Sequence, residues 1–475
     1  MQKINIYDIA IIGSGIGGSL IAALNKDKNL ILFEKDSNLG GSASTFKKRG
    51  KFFNAGATSF VGYEKNHPIY NIFNKINYKP NLIENDIAIK TIQNDKILNR
   101  IKDFDTFLEN INKIYPHKNN IIFWNKIRDI DQKFWKLKNI YFLKHSLKGY
   151  YKTFKFILEL LYTYKSDLFK TSNYFINKTL PNISKEYKNF INSQLLITVQ
   201  SKYENLPLLS MSLGLSYPFH NVFYVKGGMG SIFDEILKEI NVHKKEEIKS
   251  IKKENEFYKI VSNKGEYLAK NIILNSTIFD SSKLFEDKNI KNYYQKFKFE
   301  NQSAFTIYLN IKSKHKFLHH YQIILKENIT NCMSNSFFIS FSDQNDKKFG
   351  QNQYSITIST HTKALFWKNL SKKEYIKHKN ITQEFILKEF LNYFINIKKD
   401  NIKIVFSGTS KTFSKYINRY NCGAKAINFK NILQLPSCNT PFKGLYNIGD
   451  TIFAGQGWPG VALGVEVLNK ELNNN

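Results

Sequence analysis

The chain has 475 residues and a formal charge of +31, from 70 Lys and Arg against 39 Asp and Glu. Its 42% hydrophobic content can fill the core of two domains or of one elaborated α/β unit. Three cysteines, Cys332, Cys422 and Cys438, form no CxxC pair and no metal-ligand spacing, which argues for a reduced, intracellular chain with no metal site. The charge suits an anionic surface, either nucleic acid or a bilayer. No nucleic-acid recognition motif is present and the lysines are spread along the chain, so nucleic acid is not an expected partner. Base-composition drift also produces such a Lys-, Asn- and Ile-rich, Pro-poor sequence. No stretch reaches ~18 apolar residues without charge, so no transmembrane helix is expected. The first strand starts close to Met1, which leaves no room for a signal or transit peptide.

In chain order, Ile6–Ile12 reads as a buried parallel strand, followed by a glycine turn, a short helix through Ser19–Leu24 and a second strand, Leu30–Glu34. This is a β-α-β pattern. Residues from roughly 65 to 215 read as mainly helical, with aromatic-rich segments and few glycines. Strands follow at Ile248–Lys252, Phe257–Ser262 and Ile272–Leu274. Ser303–Asn310, Phe337–Phe341 and Tyr354–Thr360 resemble strands of an antiparallel sheet. A helix is expected from about Ser371 to Ile397, opened by the capping-box spacing of Ser371 and Glu374. The chain ends with strand, turn and helix: Leu445–Ile448, the Gly449-Asp450 turn, and a helix from about Pro459.

The turn Gly13-Ser14-Gly15-Ile16-Gly17-Gly18 has the pattern of a pyrophosphate cradle. Gly13 permits a tight turn, Gly15 lets backbone approach the phosphates, and Gly18 allows close helix–strand packing. The helix N-terminus then offers unpaired N–H groups to the anion. Glu34, at the tip of the second strand, can accept hydrogen bonds from ribose hydroxyls and would repel a 2′-phosphate, which argues against NADP. Ile21 stands where a small residue often packs the helix on the sheet. Gly40 and Gly41 let backbone lie close to a bound cofactor, and Gly56–Ser59 is placed to pass beside its ring. If the turn and the C-terminal segment around Asp450 close on one ligand, FAD fits better than NAD.

The order of these motifs resembles the FAD-dependent phytoene desaturase and carotenoid isomerase family, within the amine-oxidase-like flavoproteins. Tyr224-Val225-Lys226-Gly227-Gly228-Met229 is similar to that family's approach to a helix. Ile358–Thr362 with Trp367, Gly408–Phe413 with Arg419, and Gly449–Val461 look closest to its carotenoid 3′,4′-desaturase branch. The resemblance runs from about residue 6 to about 470. It implies an α/β fold with a FAD-binding Rossmann-type domain assembled from residues 1–70, 219–300 and 405–475. An inserted α+β substrate domain would comprise 71–218 and 301–404, with a helical membrane-facing part. It also implies that Gly13, Gly15 and Gly18 hold the pyrophosphate and Glu34 the adenosine ribose. Gly40, Gly41 and Ser42 would border the phosphates and flavin, and Ile248 would contact adenine through its backbone. Asp450 would hold the ribityl chain or a phosphate, and Gly460 and Val461 would meet the flavin at a helix start. Asn54 and Val225 depart from the family pattern, which has Asp and Pro there.

The implied function is a FAD-dependent carotenoid-modifying oxidoreductase, a desaturase removing hydride and proton from a carotene C–C bond. A cis–trans isomerase using the same flavin site is the alternative. A flavin amine oxidase and a non-catalytic prenyl-binding protein of the same fold are further alternatives. No catalytic acid or base is identified by spacing. His361 reads as a structural histidine, with a cavity-facing role the alternative, and Arg419 as an ion-pair partner. Leu143, Leu147, Tyr150, Tyr151, Phe154, Ile157, Leu158 and Leu161 fall on one helical face, with Lys144, Lys148, Lys152 and Lys155 opposite. This pattern suits a basic amphipathic helix lying on an anionic membrane, so a peripheral protein on the cytoplasmic side is expected.

Overall fold

The computed structural model describes residues 5–298, 301–423 and 434–473; residues 424–433, part of the expected C-terminal nucleotide segment, lie outside it. Strand Ile6–Ile12 is buried along most of its length. Such an apolar run needs cover on both faces, which a parallel α/β sheet provides. It lies inside a seven-stranded sheet ordered Val242–Lys244, Leu30–Glu34, Ile6–Ile12, Glu266–Leu274, Phe257–Ser262 and Ile248–Glu254, with Leu445–Asn447 also paired to Glu266–Leu274. The first four strands and Leu445–Asn447 pair in parallel; Phe257–Ser262 and Ile248–Glu254 join antiparallel. Helix Ile16–Leu24 starts three residues earlier than its expected Ser19 and packs against Gly457–Leu472. Asn25 Nδ2 donates to Asn469 Oδ1 at 3.0 Å across this contact, so both chain ends share one core. Ile21 is fully buried there.

The second sheet is ordered Ile402–Gly408, Gln302–Lys312, Gln353–Lys363, Ser336–Phe341, His320–Ile324, Ile87–Gln93 and Lys96–Ile101. Its pairings are antiparallel except that of His320–Ile324 with Ile87–Gln93. Strand Ile402–Gly408 stays with this sheet throughout, and the boundary expected at 405 falls inside it. Helix Lys372–Tyr393 packs on the sheet and ends before the expected Ile397. Its capping box is present: Ser371 Oγ accepts from the Glu374 N–H, and a Glu374 carboxylate oxygen accepts from the Ser371 N–H.

The expected helical middle is interrupted by the hairpin Ile87–Gln93/Lys96–Ile101. Its turn residue Asn94 adopts φ +51°, a conformation that asparagine tolerates, and Asp95 completes a two-residue connection. Helices Phe104–Ile114, Asn120–Phe134, Leu147–Tyr164, Ser172–Thr179, Lys185–Val199 and Leu208–Ser216 gather around an aromatic core. Arg100 of the hairpin is fully buried in it. Its guanidinium donates to Gln194 Oε1 at 3.2 Å and to the Leu215 carbonyl at 2.6 Å, and lies over the rings of Phe107 and Trp124.

Trp367 is fully buried under the second sheet, packs on Phe305 and donates its indole N–H to Thr362 Oγ1 at 2.9 Å. Trp367→Ala is therefore expected to destabilise the chain by about 3–5 kcal/mol. A urea midpoint equal to that of the wild type would contradict this packing.

Candidate dinucleotide and substrate site

The glycine turn sits where strand Ile6–Ile12 ends against the strand Glu266–Leu274. Gly18 takes no side chain because a Cβ there would lie 2.1 Å from the Gly13 carbonyl oxygen. The Gly13 carbonyl in turn accepts from Asn275 Nδ2 at 3.1 Å, immediately after strand Glu266–Leu274. Gly18 thus shapes the turn through helix packing and is not on the cavity wall, while Gly13 and Gly15 are. Gly15 forms a parallel bridge to Gly40, whose N–H donates to the Ser14 carbonyl at 3.0 Å. Gly40 has φ +100°, and a Cβ on it would meet the Phe233 ring at 2.4 Å. The second glycine pair of the N-terminal region therefore lies directly against the first turn.

Glu34 reaches into this turn. One carboxylate oxygen accepts from the Ser14 N–H (3.0 Å) and Oγ–H (2.6 Å), and the other from the Asp36 N–H (2.9 Å). A carboxylate has about four acceptor sites; three are used here, so Glu34 braces the loop and keeps one site, on Oε1, for a ribose hydroxyl. Ile248 lines the same cavity, as do Gly41 and Ser42, whose carbonyl accepts from the Ala57 N–H at 3.0 Å. Gly56, Ala57, Thr58 and Ser59 line it too.

Asp450 meets Arg419: the guanidinium donates to Asp450 Oδ1 at 2.7 Å. Burial alone would lower the Arg419 guanidinium, but the Asp450 charge and hydrogen bond outweigh it and raise it. Both side chains line the cavity, and Arg419 Nε is buried with no hydrogen-bond partner among the described residues. A carboxylate beside a pyrophosphate would be repulsive by itself; paired with Arg419 it adds no net charge. Gly460 and Val461 line the cavity in the first turns of helix Gly457–Leu472, at the positive end of its dipole.

These residues share one cavity of about 1150 Å³. That exceeds the ~300–1,000 Å³ of drug-sized ligand sites. Its wall also carries Phe156, Leu160, Leu209, Leu213, Phe338 and Phe453, contributed by the helical layer, the second sheet and the C-terminal segment. The residues present fit a dinucleotide: a glycine cradle, an acid at the second strand tip, an orphan guanidinium N–H and an open helix start. They leave an apolar region for a second molecule.

Sequence reasoning left several features open. His361 lines the cavity, and burial lowers its imidazole to about 4. Arg419 is an ion-pair partner as expected, and its acid is Asp450. Asn54 does not line the cavity; its Oδ1 accepts from Thr45 Oγ1 (2.8 Å) and from the Met229 N–H (3.1 Å), which braces the Gly227-Gly228 turn. Asn275 was missed, although a polar residue directly after the apolar strand Ile272–Leu274 is a readable signal. His67, Asp131 and His220 were also missed on the cavity wall, because three distant segments supply them.

The expected amphipathic helix is Leu147–Tyr164, and its faces agree with the reading above in part. Leu147, Tyr150, Tyr151, Phe154, Leu158 and Tyr162 are exposed; Leu147 is 91% and Tyr162 84% accessible. Leu143 is buried, and Phe156, Ile157 and Leu160 line the cavity. Two of the expected basic residues are not free. Lys144 is half-buried, its Nζ donates to the Leu435 carbonyl at 2.6 Å, and burial lowers it to about 8. Lys152 pairs with Glu471 at 3.6 Å. Lys148 and Lys155 are exposed beside the apolar face. Among the described residues, no helix is long and apolar enough to cross a membrane.

Comparison with known proteins agrees with this architecture. A model of the NAD(P)-binding Rossmann-like domain matches residues 11–76. The chain is similar, at 25% identity over 507 aligned positions, to prolycopene isomerase 1, chloroplastic, of an Oncidium hybrid cultivar, covering 97% of this chain and 83% of that one. Among solved structures, it superposes on an oxidoreductase from Methanosarcina mazei with a TM-score of 0.67 at 16% identity, covering 97% and 99% of the two chains. It superposes on putrescine oxidase bound to putrescine with a TM-score of 0.64 at 12% identity, covering 99% and 100%. The fold is that of the FAD-dependent amine oxidases, an α/β architecture with a Rossmann sheet and a separate mixed sheet.

Gly18→Ala forces its Cβ against the Gly13 carbonyl, and helix Ile16–Leu24 must shift. A stability loss of about 1–3 kcal/mol is expected, with at least a tenfold loss of dinucleotide affinity in equilibrium dialysis. Unchanged affinity would contradict the packing role of Gly18.

Proposed function

We propose that this chain is a FAD-dependent enzyme that acts on a carotenoid-class polyene. The carrying observation is the single cavity that joins the dinucleotide cradle to an apolar region large enough for a second molecule. In this reading Gly13, Gly15, Gly40, Gly41 and Ser42 hold the diphosphate, with Glu34 and Ile248 at the adenosine. Gly18 sets the shape of the turn from behind. Asp450, neutralised by Arg419, holds the ribityl or phosphate portion, and Gly460 and Val461, at the positive end of helix Gly457–Leu472, lie beside the ring. When bound, FAD supplies hydride acceptance and return. The chain's own residues position the polyene and keep water out; the apolar wall of Phe156, Leu160, Leu213 and Phe453 does both.

Two reactions fit this site. Cis–trans isomerisation is favoured by the near full-length similarity to a protein named prolycopene isomerase. Desaturation is favoured by the Gly449–Val461 segment, whose resemblance is to the 3′,4′-desaturase branch. Expression in a bacterium that makes defined carotenoids, followed by pigment chromatography, separates them. A changed cis/trans ratio at constant mass is the expected outcome; a longer conjugated system selects desaturation. An unchanged pigment profile with several carotenoid precursors would count against both.

The exposed face of helix Leu147–Tyr164 supports a second part of the proposal, peripheral binding to an anionic bilayer from which an apolar substrate is drawn. Side chains of one helix point both outward and into the cavity, so the bilayer-facing surface and the substrate wall share that element. Exposed Lys148 and Lys155 supply attraction to acidic lipids. The triple variant Leu147→Glu, Phe154→Glu, Leu158→Glu is expected to lose most co-sedimentation with anionic vesicles while keeping its circular dichroism spectrum. Undiminished co-sedimentation would remove the membrane role of this helix.

A further inference from the structure

We propose that Glu64, His67 and His220 bind one divalent transition-metal ion of the zinc class, with Asp131 as the carboxylate that orients His220. The site stands apart from the dinucleotide motifs and does not rest on the carotenoid reading. Among the described residues, this is the one group of three His, Cys, Asp or Glu side chains whose ligand atoms all lie within 4.8 Å of one another.

The topology explains how distant residues meet. Phe60–Val61 pairs antiparallel with Val222–Val225, in the register Phe60 with Phe223 and Val61 with Val222. The chain leaving Val61 and the chain entering Val222 therefore lie at the same end of the pair, which places Glu64 beside His220. His67 immediately precedes helix Pro68–Lys75, and Asp131 comes from the last turn of helix Asn120–Phe134.

Two distances at His220 are compatible with a metal site. His220 Nε2 lies 2.7 Å from Asp131 Oδ2, the length of a charge-assisted hydrogen bond. His220 Nδ1 lies 3.2 Å from Glu64 Oε2, which is long for such a bond. With ligand bonds of about 2.0–2.1 Å, two neighbouring ligands of a tetrahedral ion lie roughly 3.3 Å apart. The pattern is that of a metal-bound imidazole on one nitrogen and a carboxylate partner on the other. Glu64 Oε1 is fixed separately by the Asn221 N–H at 2.5 Å.

His67 is the independent observation. An ion pair of His220 with two carboxylates has no use for it, yet it is 7% exposed and its Nδ1 is buried with no hydrogen-bond partner among the described residues. Its ring stacks on Trp135 at 4.5 Å and meets His220 edge-on at 5.2 Å, which fixes its plane beside the other two ligands. Two imidazoles and one carboxylate form a donor set suited to zinc. The fourth position is left to water or to an oxygen atom of a molecule in the cavity, whose wall includes His67, Asp131 and His220.

The test uses the full chain, stripped with a chelator and then titrated with Zn²⁺ by calorimetry and with Co²⁺ by visible absorption. The expected result is one ion per chain, with the intense absorption band of tetrahedral Co²⁺. His67→Gln is expected to lower affinity at least tenfold, and Asp131→Asn ten- to a hundredfold. Flavin content is measured on the same samples and is expected to stay constant, which keeps a failed metal site distinct from a failed flavin assignment. Should His67→Gln not fold, the wild-type Co²⁺ spectrum decides. Absence of a tetrahedral band, or full-affinity binding by folded His67→Gln, would overturn the proposal.

Discussion

The contact of Gly18 with the Gly13 carbonyl governs the geometry of the nucleotide end. It brings helix Ile16–Leu24 down onto the ends of Ile6–Ile12 and Glu266–Leu274, with Asn275 bonded to the same carbonyl. Once that approach is fixed, the helix start, Ser14 and Glu34 have only one arrangement. Ser14 donates twice to Glu34 while its carbonyl holds Gly40. The C-terminal helix then packs on Ile16–Leu24 and brings Gly460 and Val461, with Asp450 of the preceding turn, to the same cavity. A Cβ at one residue would disturb all of these.

The second constraint is electrostatic. In the proposed reading a dinucleotide brings two negative phosphates into a partly buried cavity whose wall also carries Asp450. Arg419 resolves the conflict by pairing with Asp450 at 2.7 Å. It comes from the segment after helix Ser410–Ile417, which follows the second sheet, so the ion pair also links the two sheets across the cavity. The apolar half of the cavity is built from the helical layer, the second sheet and the C-terminal segment, and helix Leu147–Tyr164 exposes its remaining apolar residues.

Much of the nucleotide end was legible in the sequence because its constraints are local. A strand, three glycines, a helix start and an acid at the next strand tip lie within about thirty residues, as in any such motif. Glu34 shows the limit of that reading. Its place was legible, but its bonds to Ser14 and Asp36 depend on how the turn closes. The hairpin Ile87–Ile101 escaped because its alternating pattern sits among helices, although Asn94-Asp95 marks its turn. Helix Leu147–Tyr164 was legible in part: Leu147, Tyr150, Tyr151, Phe154 and Leu158 of the expected outer face are exposed, while Leu143 is buried and Ile157 lines the cavity, because periodicity does not say which residues a neighbouring element covers. Phe156 and Leu160 point inward, and Lys144 and Lys152 find partners that no local pattern reveals. The Glu64–His67–His220 cluster had no sequence signature at all, since strand pairing brings residues more than 150 positions apart together.

The central claim is that both chain ends enclose a flavin dinucleotide. The most direct measurement is the visible spectrum of the purified chain, with the chromophore released by denaturation and identified by chromatography. The account predicts a yellow protein that releases about one FAD per chain, as one site requires. A colourless protein that takes up no added FAD, or one that binds NAD in its place, would contradict it.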